Sequence, residues 1–230
     1  MAVRLSVVVP VFNERNTIQE IVSAIRAVPV SKEVILVDDG SSDGTREMMH
    51  QKFEGFEDVQ VLLHPRNYGK GKAVQTGIQA ASGEALVIQD ADLEYDPMDY
   101  LKLLDALEKE STNVVYGSRF LCHKKASTFW HRSVNHFLTW FTNFLFSSQL
   151  TDMETCYKLF STRLLKNLKI ESKGFEIEVE LTAKILKAQE RIVEVPISYK
   201  GRSFHEGKKI GWRDGIKAVF ALIRYRFFKE

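Results

Sequence analysis

Short runs of apolar, mostly β-branched residues alternate with segments of helical periodicity through the first half of the chain. The runs Leu5–Val11, Glu33–Val37, Val59–Leu63, Ala85–Gln89 and Asn113–Tyr116 predict strands, and Thr17–Val28, Asp43–Phe53, Gly71–Ala81 and Pro97–Glu108 predict the helices between them. Strands that are apolar throughout, joined by crossover helices, indicate an α/β protein with a mostly parallel central sheet and flanking helices. After residue 117 the rhythm changes to a long aromatic-rich helix, a mixed Asp152–Phe160 segment, a helix near Glu176–Lys187, a strand Ile192–Ile197, a basic loop and a terminal helix. This second half is expected to complete and cover the same sheet, so that residues 1–230 form a single domain of two halves, 1–117 and 118–230.

Parallel sheets bind ligands beyond the carboxyl ends of their strands, and three of the predicted strands end in polar turns. Ala85–Gln89 runs into Asp90-Ala91-Asp92-Leu93-Glu94, where alternate positions of an extended chain direct three carboxylates to one side. Carboxylates that close repel unless a hard divalent cation takes their oxygens, so this turn is a candidate metal site; a solvated acidic turn before the helix at Pro97 is the simpler alternative. The second strand ends in Asp38-Asp39-Gly40-Ser41-Ser42-Asp43-Gly44-Thr45 and the first in Phe12-Asn13-Glu14. Thr17 and Glu20 also have capping-box spacing, which predicts a helix start there.

The 230 residues are 44% hydrophobic and 27% charged, an ordinary globular composition, and a formal net charge of +2 argues against a general nucleic-acid binder. Cys122 and Cys156 have neither metal-ligand nor redox spacing and are expected as free thiols of a reducing cytosol. No segment reads as a signal peptide or a spanning helix; the uncharged stretch between Arg132 and Asp152 is too polar for a hydrocarbon core and reads as amphipathic. The stretch Arg66-Asn67-Tyr68-Gly69-Lys70-Gly71-Lys72 combines two glycines and several cations before a helix, which suits an anion, although it has neither the dinucleotide fingerprint nor the Walker spacing.

Val8-Val9-Pro10-Val11-Phe12-Asn13-Glu14, Val37-Asp38-Asp39-Gly40-Ser41-Ser42-Asp43-Gly44-Thr45, Asn67-Tyr68-Gly69-Lys70-Gly71 and Asp90-Ala91-Asp92 follow one another in the order and spacing of family-2 glycosyltransferases of the GT-A fold, which the chain therefore resembles. Within that family it is most similar to the dolichyl- and polyprenyl-phosphate sugar synthases, through Gly117-Ser118-Arg119-Phe120, the aromatic helix with Arg132 and Asn135, and the basic loop with Arg202 and Lys208. The resemblance implies a nucleotide-sugar pocket lined by Pro10, Phe12, Glu14, Val37 and Asp39, with Lys70 in the loop closing over it, and Mg²⁺ or Mn²⁺ held by Asp90, Asp92 and Glu94 against the diphosphate. It implies transfer of a hexose to polyprenyl or dolichyl phosphate with inversion, mannose from GDP-mannose being the first choice and glucose or another sugar from a UDP donor close behind, since no residue decides the base or the sugar. Arg119, Arg132, Arg202 and Lys208 would hold the acceptor phosphate, since a guanidinium can bind it through paired hydrogen bonds.

Asp152 opens Asp152-Met153-Glu154-Thr155-Cys156, where relatives usually carry small residues and a glycine. This aspartate could bind sugar hydroxyls or orient an arginine. Two amphipathic stripes, Trp130, Val134, Phe137, Leu138, Phe141 and Leu145, and Ile216, Val219, Phe220, Ile223 and Phe227, suggest peripheral attachment to the cytosolic membrane face, with cations beside the second stripe. Many relatives carry spanning helices after the catalytic part; with the sequence stopping at Glu230, any firm anchoring is expected to need a partner subunit or an oligomer. Two alternatives remain: a family-2 enzyme acting on a soluble sugar, polysaccharide or protein with Asp152 as base, and a non-catalytic nucleotide-sugar-binding subunit.

Overall fold

The computed structural model describes residues 4–121, 129–201 and 212–228, with the side chains of 129–132 and 212–214 excepted. Strands β1 (Leu5–Val11), β2 (Lys32–Asp38), β3 (Val59–Leu63), β4 (Ala85–Ile88), β5 (Val114–Ser118), β6 (Lys158–Ser161) and β7 (Ile192–Pro196) form one sheet in the order β3-β2-β1-β4-β6-β5-β7. Helices α1 (Ile18–Ala27), α2 (Thr45–Phe53), α3 (Lys70–Ala80), α4 (Tyr100–Lys109), α5 (Phe129–Phe146), α6 (Thr162–Asn167), α7 (Ile177–Lys187) and α8 (Trp212–Phe227) make up the helical layers.

The sheet follows from its side chains. Val7, Val8, Val9, Val34, Ile35, Leu36, Val87 and Ile88 are all fully buried, as strands covered on both faces require. Strands of both halves of the chain share this one sheet. All neighbours pair in parallel except β6, which lies antiparallel between β4 and β5. The mixed Asp152–Phe160 segment thus delivers a central strand, whose Lys158 is fully buried and masks the apolar signal.

Register brings the ends of the first strands together, with Val11 opposite Asp38 on β2 and Val8 opposite Ile88 on β4. The turns after β1 and β2 are bonded to each other: Asn13 N–H donates to Ser41 Oγ at 2.9 Å, Ser42 N–H to Asn13 Oδ1 at 2.9 Å, and Glu14 N–H to Thr45 Oγ1 at 3.0 Å. Asn13 adopts φ 53°, a left-handed geometry that asparagine tolerates. The predicted capping box does not form. Thr17 instead donates its hydroxyl to Glu14 Oε2 at 2.8 Å, so the turn after β1 claims the side chain that would have capped α1.

Val134, Leu138, Phe141 and Leu145 of the apolar stripe predicted on α5 form a core surface, while its Phe137 is exposed. Leu138 is buried, and Val134, Phe141 and Leu145 pack with α8 residues Ala218 and Leu222 and α7 residue Val179. A neighbouring line, Phe137, Trp140 and Phe144, is exposed instead, with rings about 6.0 Å apart in sequence along the helix. On α8, Ala218, Leu222 and Tyr225 face inward; of the predicted stripe Ile216, Phe220 and Phe227 are exposed, while Ile223 is half-buried and Val219 packs against the core. Trp130 has no described side chain. Among the described residues no helix is long and apolar enough to cross a membrane.

Candidate active site

Both aspartates that end β2 are committed to neighbours. Asp38 is fully buried and accepts from Arg46 Nε at 2.9 Å and Nη2 at 2.6 Å. Asp39, only 2% exposed, accepts from the backbone N–H of Tyr68 at 3.0 Å and of Gly69 at 2.7 Å, and its Oδ1 lies 2.7 Å from His64 Nδ1. The other His64 nitrogen lies 2.9 Å from Thr76 Oγ1 on α3. Asp39 therefore ties the Asn67–Lys72 loop to the sheet, and two amides of that loop already have a partner. Its glycines serve close packing against protein: a Cβ on Gly69 would fall 2.3 Å from Lys173 O, and one on Gly71 2.3 Å from Ser172 O. Val37 is buried in the sheet, while Pro10, Phe12 and Glu14 are half-buried at its edge.

From this pinned loop Lys70 reaches across to β4. Its ammonium is 2.7 Å from Asp90 Oδ1 and 3.1 Å from Glu178 Oε1 on α7. The second contact is an ion pair without hydrogen-bond alignment, and Glu178 Oε1 is buried with no hydrogen-bond partner. Glu178 Oε2 binds the buried Lys158 ammonium at 2.5 Å. Burial works against the charge on Lys70, but the Asp90, Cys156 and Glu178 side chains outweigh it and hold its pKa well above the ordinary value.

The three carboxylates after β4 diverge. Leu93 at φ 63° ends the extended run, Asp92 Oδ1 accepts the Glu94 N–H at 3.1 Å, and Glu94 Oε2 accepts from the Tyr199 hydroxyl at 2.7 Å. Among the described residues no three His, Cys, Asp or Glu side chains gather to hold a metal alone. The donor set still fits Mg²⁺ or Mn²⁺, because such ions are commonly held by one or two carboxylates together with substrate phosphates. The ammonium on Asp90 marks that position as one that draws positive charge.

On the other side of β6, Asp152 is fully buried and grips Arg119 with both oxygens: Nε donates to Oδ2 at 2.7 Å and Nη2 to Oδ1 at 2.7 Å. Asn135 on α5 adds a bond to Oδ1 at 3.4 Å. Of the two roles open to Asp152, the geometry gives it the orientation of an arginine. Burial opposes the Arg119 charge, but Asp152 more than offsets this and raises its pKa well above the usual value. The guanidinium also lies 5.1 Å from the Tyr199 ring. Tyr199 thereby touches both Glu94 and Arg119, a link that sequence reasoning missed because its partners are far apart along the chain. Arg132 stands on α5 without a described side chain, and Arg202, Lys208 and Cys122 lie outside the described residues.

Glu154 lies two residues beyond Asp152, where the sequence departs from the small residues usual in relatives. Its Oε1 is buried without a hydrogen-bond partner, and burial pushes its carboxyl up to about 7, with Lys158 and Arg119 lowering it and Glu178 and Asp152 raising it.

Known proteins resemble this chain in sequence and fold. Over 96–99% of its length the chain is 27% identical to a dodecaprenyl-phosphate galacturonate synthase of Rhizobium johnstonii and 28% identical to an undecaprenyl-phosphate mannosyltransferase of Micrococcus luteus, covering 68% and 93% of those proteins. It is 26% identical to a dolichol-phosphate mannosyltransferase of Pyrococcus furiosus, of which it spans 64%. The fold is that of glucosyl-3-phosphoglycerate synthase from Mycobacterium tuberculosis, solved with Mn²⁺, uridine diphosphate and phosphoglyceric acid: TM-score 0.76 at 19% identity, over 99% of this chain and 80% of that one. The fold class is thus GT-A, as expected. A family model described as glycosyl transferase family 2 matches residues 6–169, from β1 past β6 and α6, and so takes in the pinned loop, the β4 carboxylates and the Arg119–Asp152 pair. By that match the chain belongs to glycosyl transferase family 2 and is a glycosyltransferase.

Proposed function

We propose that the protein transfers a hexose from a nucleotide sugar to a polyprenyl or dolichyl phosphate, with inversion and with a divalent cation. The observation that carries the acceptor class is the Arg119–Asp152 pair. Both Asp152 oxygens are bound to Arg119, so a hydroxyl acceptor finds no base at this aspartate. An acceptor that arrives as an anion needs no base and needs a cation held in place. Arg119 Nη1 has no hydrogen-bond partner among the described residues and is available to a phosphate oxygen. The three polyprenyl- or dolichyl-phosphate relatives support the same reading, although their sugars differ, and GDP-mannose remains the first choice of donor.

The donor would lie over the ends of β1, β2 and β4 with its diphosphate at Asp90, Asp92 and Lys70. A cation there, held by Asp90 and Asp92 with Glu94 as the outlying carboxylate, would neutralise charge on the departing nucleoside diphosphate. Lys70 would add a second positive charge, and Asp39 would hold its loop. Arg119, with Arg132, Arg202 and Lys208 as the remaining candidates, would set the acceptor oxygen on the opposite side of the anomeric carbon. All 230 residues would then form one catalytic domain, residues 1–117 serving the donor and 118–230 the acceptor.

Asp39→Ala tests the loop's part in this. It removes two amide partners and the His64 contact, and should weaken nucleoside-diphosphate binding by roughly tenfold, about 1.4 kcal/mol. Isothermal calorimetry reads this directly; unchanged affinity would mean that the loop does not close over the nucleotide.

Association with the lipid surface would use the exposed aromatic line of α5 and the outer face of α8. Phe144 is 70% exposed and Phe220 68%, and Lys217, Arg224 and Arg226 lie near the apolar residues of α8. Aromatic residues with cations beside them suit an anionic interface. Changing Trp140 and Phe144 together to glutamate should lower binding to vesicles containing anionic lipid by roughly tenfold or more, since each buried aromatic is worth about 1.5–3 kcal/mol. Vesicle flotation would reveal it, and undiminished binding would reject this face.

A further inference from the structure

The site holds two charged groups of side chains with one carboxylate between them. On the donor side Lys70 spans Asp90 and Glu178, and Glu178 holds Lys158. On the acceptor side Asp152 holds Arg119. Each of these carboxylates has a cation. Glu154 lies in the loop that runs from Asp152, bound to Arg119, to Cys156, whose sulfur is 3.8 Å from the Lys70 ammonium, and leaves Oε1 buried with no hydrogen-bond partner. A buried acceptor without a donor is costly unless a ligand supplies one.

Resting on the reading above, we propose that Glu154 is the residue that reads the transferred sugar, accepting a hydrogen bond from one of its hydroxyls and favouring a neutral hexose over a uronic acid. In that reading the sugar must lie between the donor phosphates at Lys70 and Asp90 and the acceptor phosphate at Arg119, which is the interval Glu154 occupies. A sugar hydroxyl provides the missing donor. A uronic acid brings another negative charge to a carboxyl that Asp152 and Glu178 already disfavour ionising. Lys158, the cation that most favours its ionisation, is already bound to Glu178 and the Thr155 carbonyl and is not left over for the sugar.

The test compares wild type with Glu154→Gln, which keeps shape and loses charge, and Glu154→Asp, which keeps charge and shortens the reach. Binding is measured by calorimetry with Mg²⁺ at pH 8, above the carboxyl's value of about 7, for UDP and GDP, for UDP-glucose and GDP-mannose, and for UDP-galacturonic acid. Wild type should bind one neutral donor at least tenfold more tightly than the uronosyl donor. In Glu154→Gln that preference should shrink roughly tenfold, through weaker binding of the neutral donor and tighter binding of the uronosyl donor, with UDP and GDP binding unchanged and Glu154→Asp between the two. Equal losses for donor and bare nucleotide would give Glu154 a structural role and overturn the inference. Donor binding identical to wild type would overturn it as well, and if accompanied by a fall in kcat would make Glu154 a base. A wild-type protein that binds no nucleotide sugar would overturn the glycosyl-transfer reading itself, a result separate from any effect of Glu154.

Discussion

Arg119→Ala should lose turnover and stability together. Truncation leaves Asp152 fully buried and without its cation, and breaking a buried pair on one side costs about 3–5 kcal/mol. For a chain of this size that lowers the melting temperature by roughly 2–4 °C for each kcal/mol. A charge-assisted hydrogen bond to the acceptor is worth about 1.5–3 kcal/mol, so turnover measured where the variant is still folded should fall about ten- to a hundredfold. Arg119→Lys should recover part of the stability and little of the rate, because an ammonium cannot hold Asp152 and a phosphate with a planar fork. Nucleotide affinity should be unchanged in both. A fall in nucleotide affinity equal to the fall in turnover would assign Arg119 to the donor side.

Asp92→Asn should reduce turnover by about a hundredfold or more, about 2.7 kcal/mol in the barrier, with an unchanged melting temperature. The substitution removes a charge and almost no volume, and the amide oxygen can still accept the Glu94 N–H. Mn²⁺ affinity in the presence of nucleoside diphosphate, followed by electron paramagnetic resonance, should fall in parallel. Glu94→Gln should lose less, since Glu94 is engaged by the Tyr199 hydroxyl, which an amide oxygen can also accept. Full activity of wild type in excess chelator would remove the cation from the account.

The parts of this architecture that depend on local pattern were legible in the sequence. Strands β1 to β5 fall within a few residues of the expected runs because each is a short, mostly apolar and β-branched run, and the polar turns after β1, β2 and β4 lie at one edge because parallel strands must end together. What depended on distant partners was hidden. Nothing around Asp39 foretells that His64, Tyr68 and Gly69 would claim its carboxylate, and nothing around Glu94 foretells a tyrosine 105 residues later. Strand β6 escaped because a fully buried lysine interrupts its short apolar run, and the charge becomes tolerable only once Glu178 arrives from α7. The face of α5 was misread because its apolar residues exceed what one stripe can bury: α8 takes Val134, Leu138, Phe141 and Leu145, and Phe137, Trp140 and Phe144 remain outside. The three clustered carboxylates rested on an extended chain, which Leu93 ends.

Whether an anionic lipid accepts the sugar is read by following a radiolabelled nucleotide sugar with purified protein and Mg²⁺, with and without polyprenyl phosphate. Label should move into the organic phase only when polyprenyl phosphate is present, with little release from donor alone and no transfer to the corresponding polyprenyl alcohol. Transfer to a soluble hydroxyl acceptor at a comparable rate without the lipid, or equal transfer to phosphate and alcohol, would contradict a lipid phosphate as acceptor.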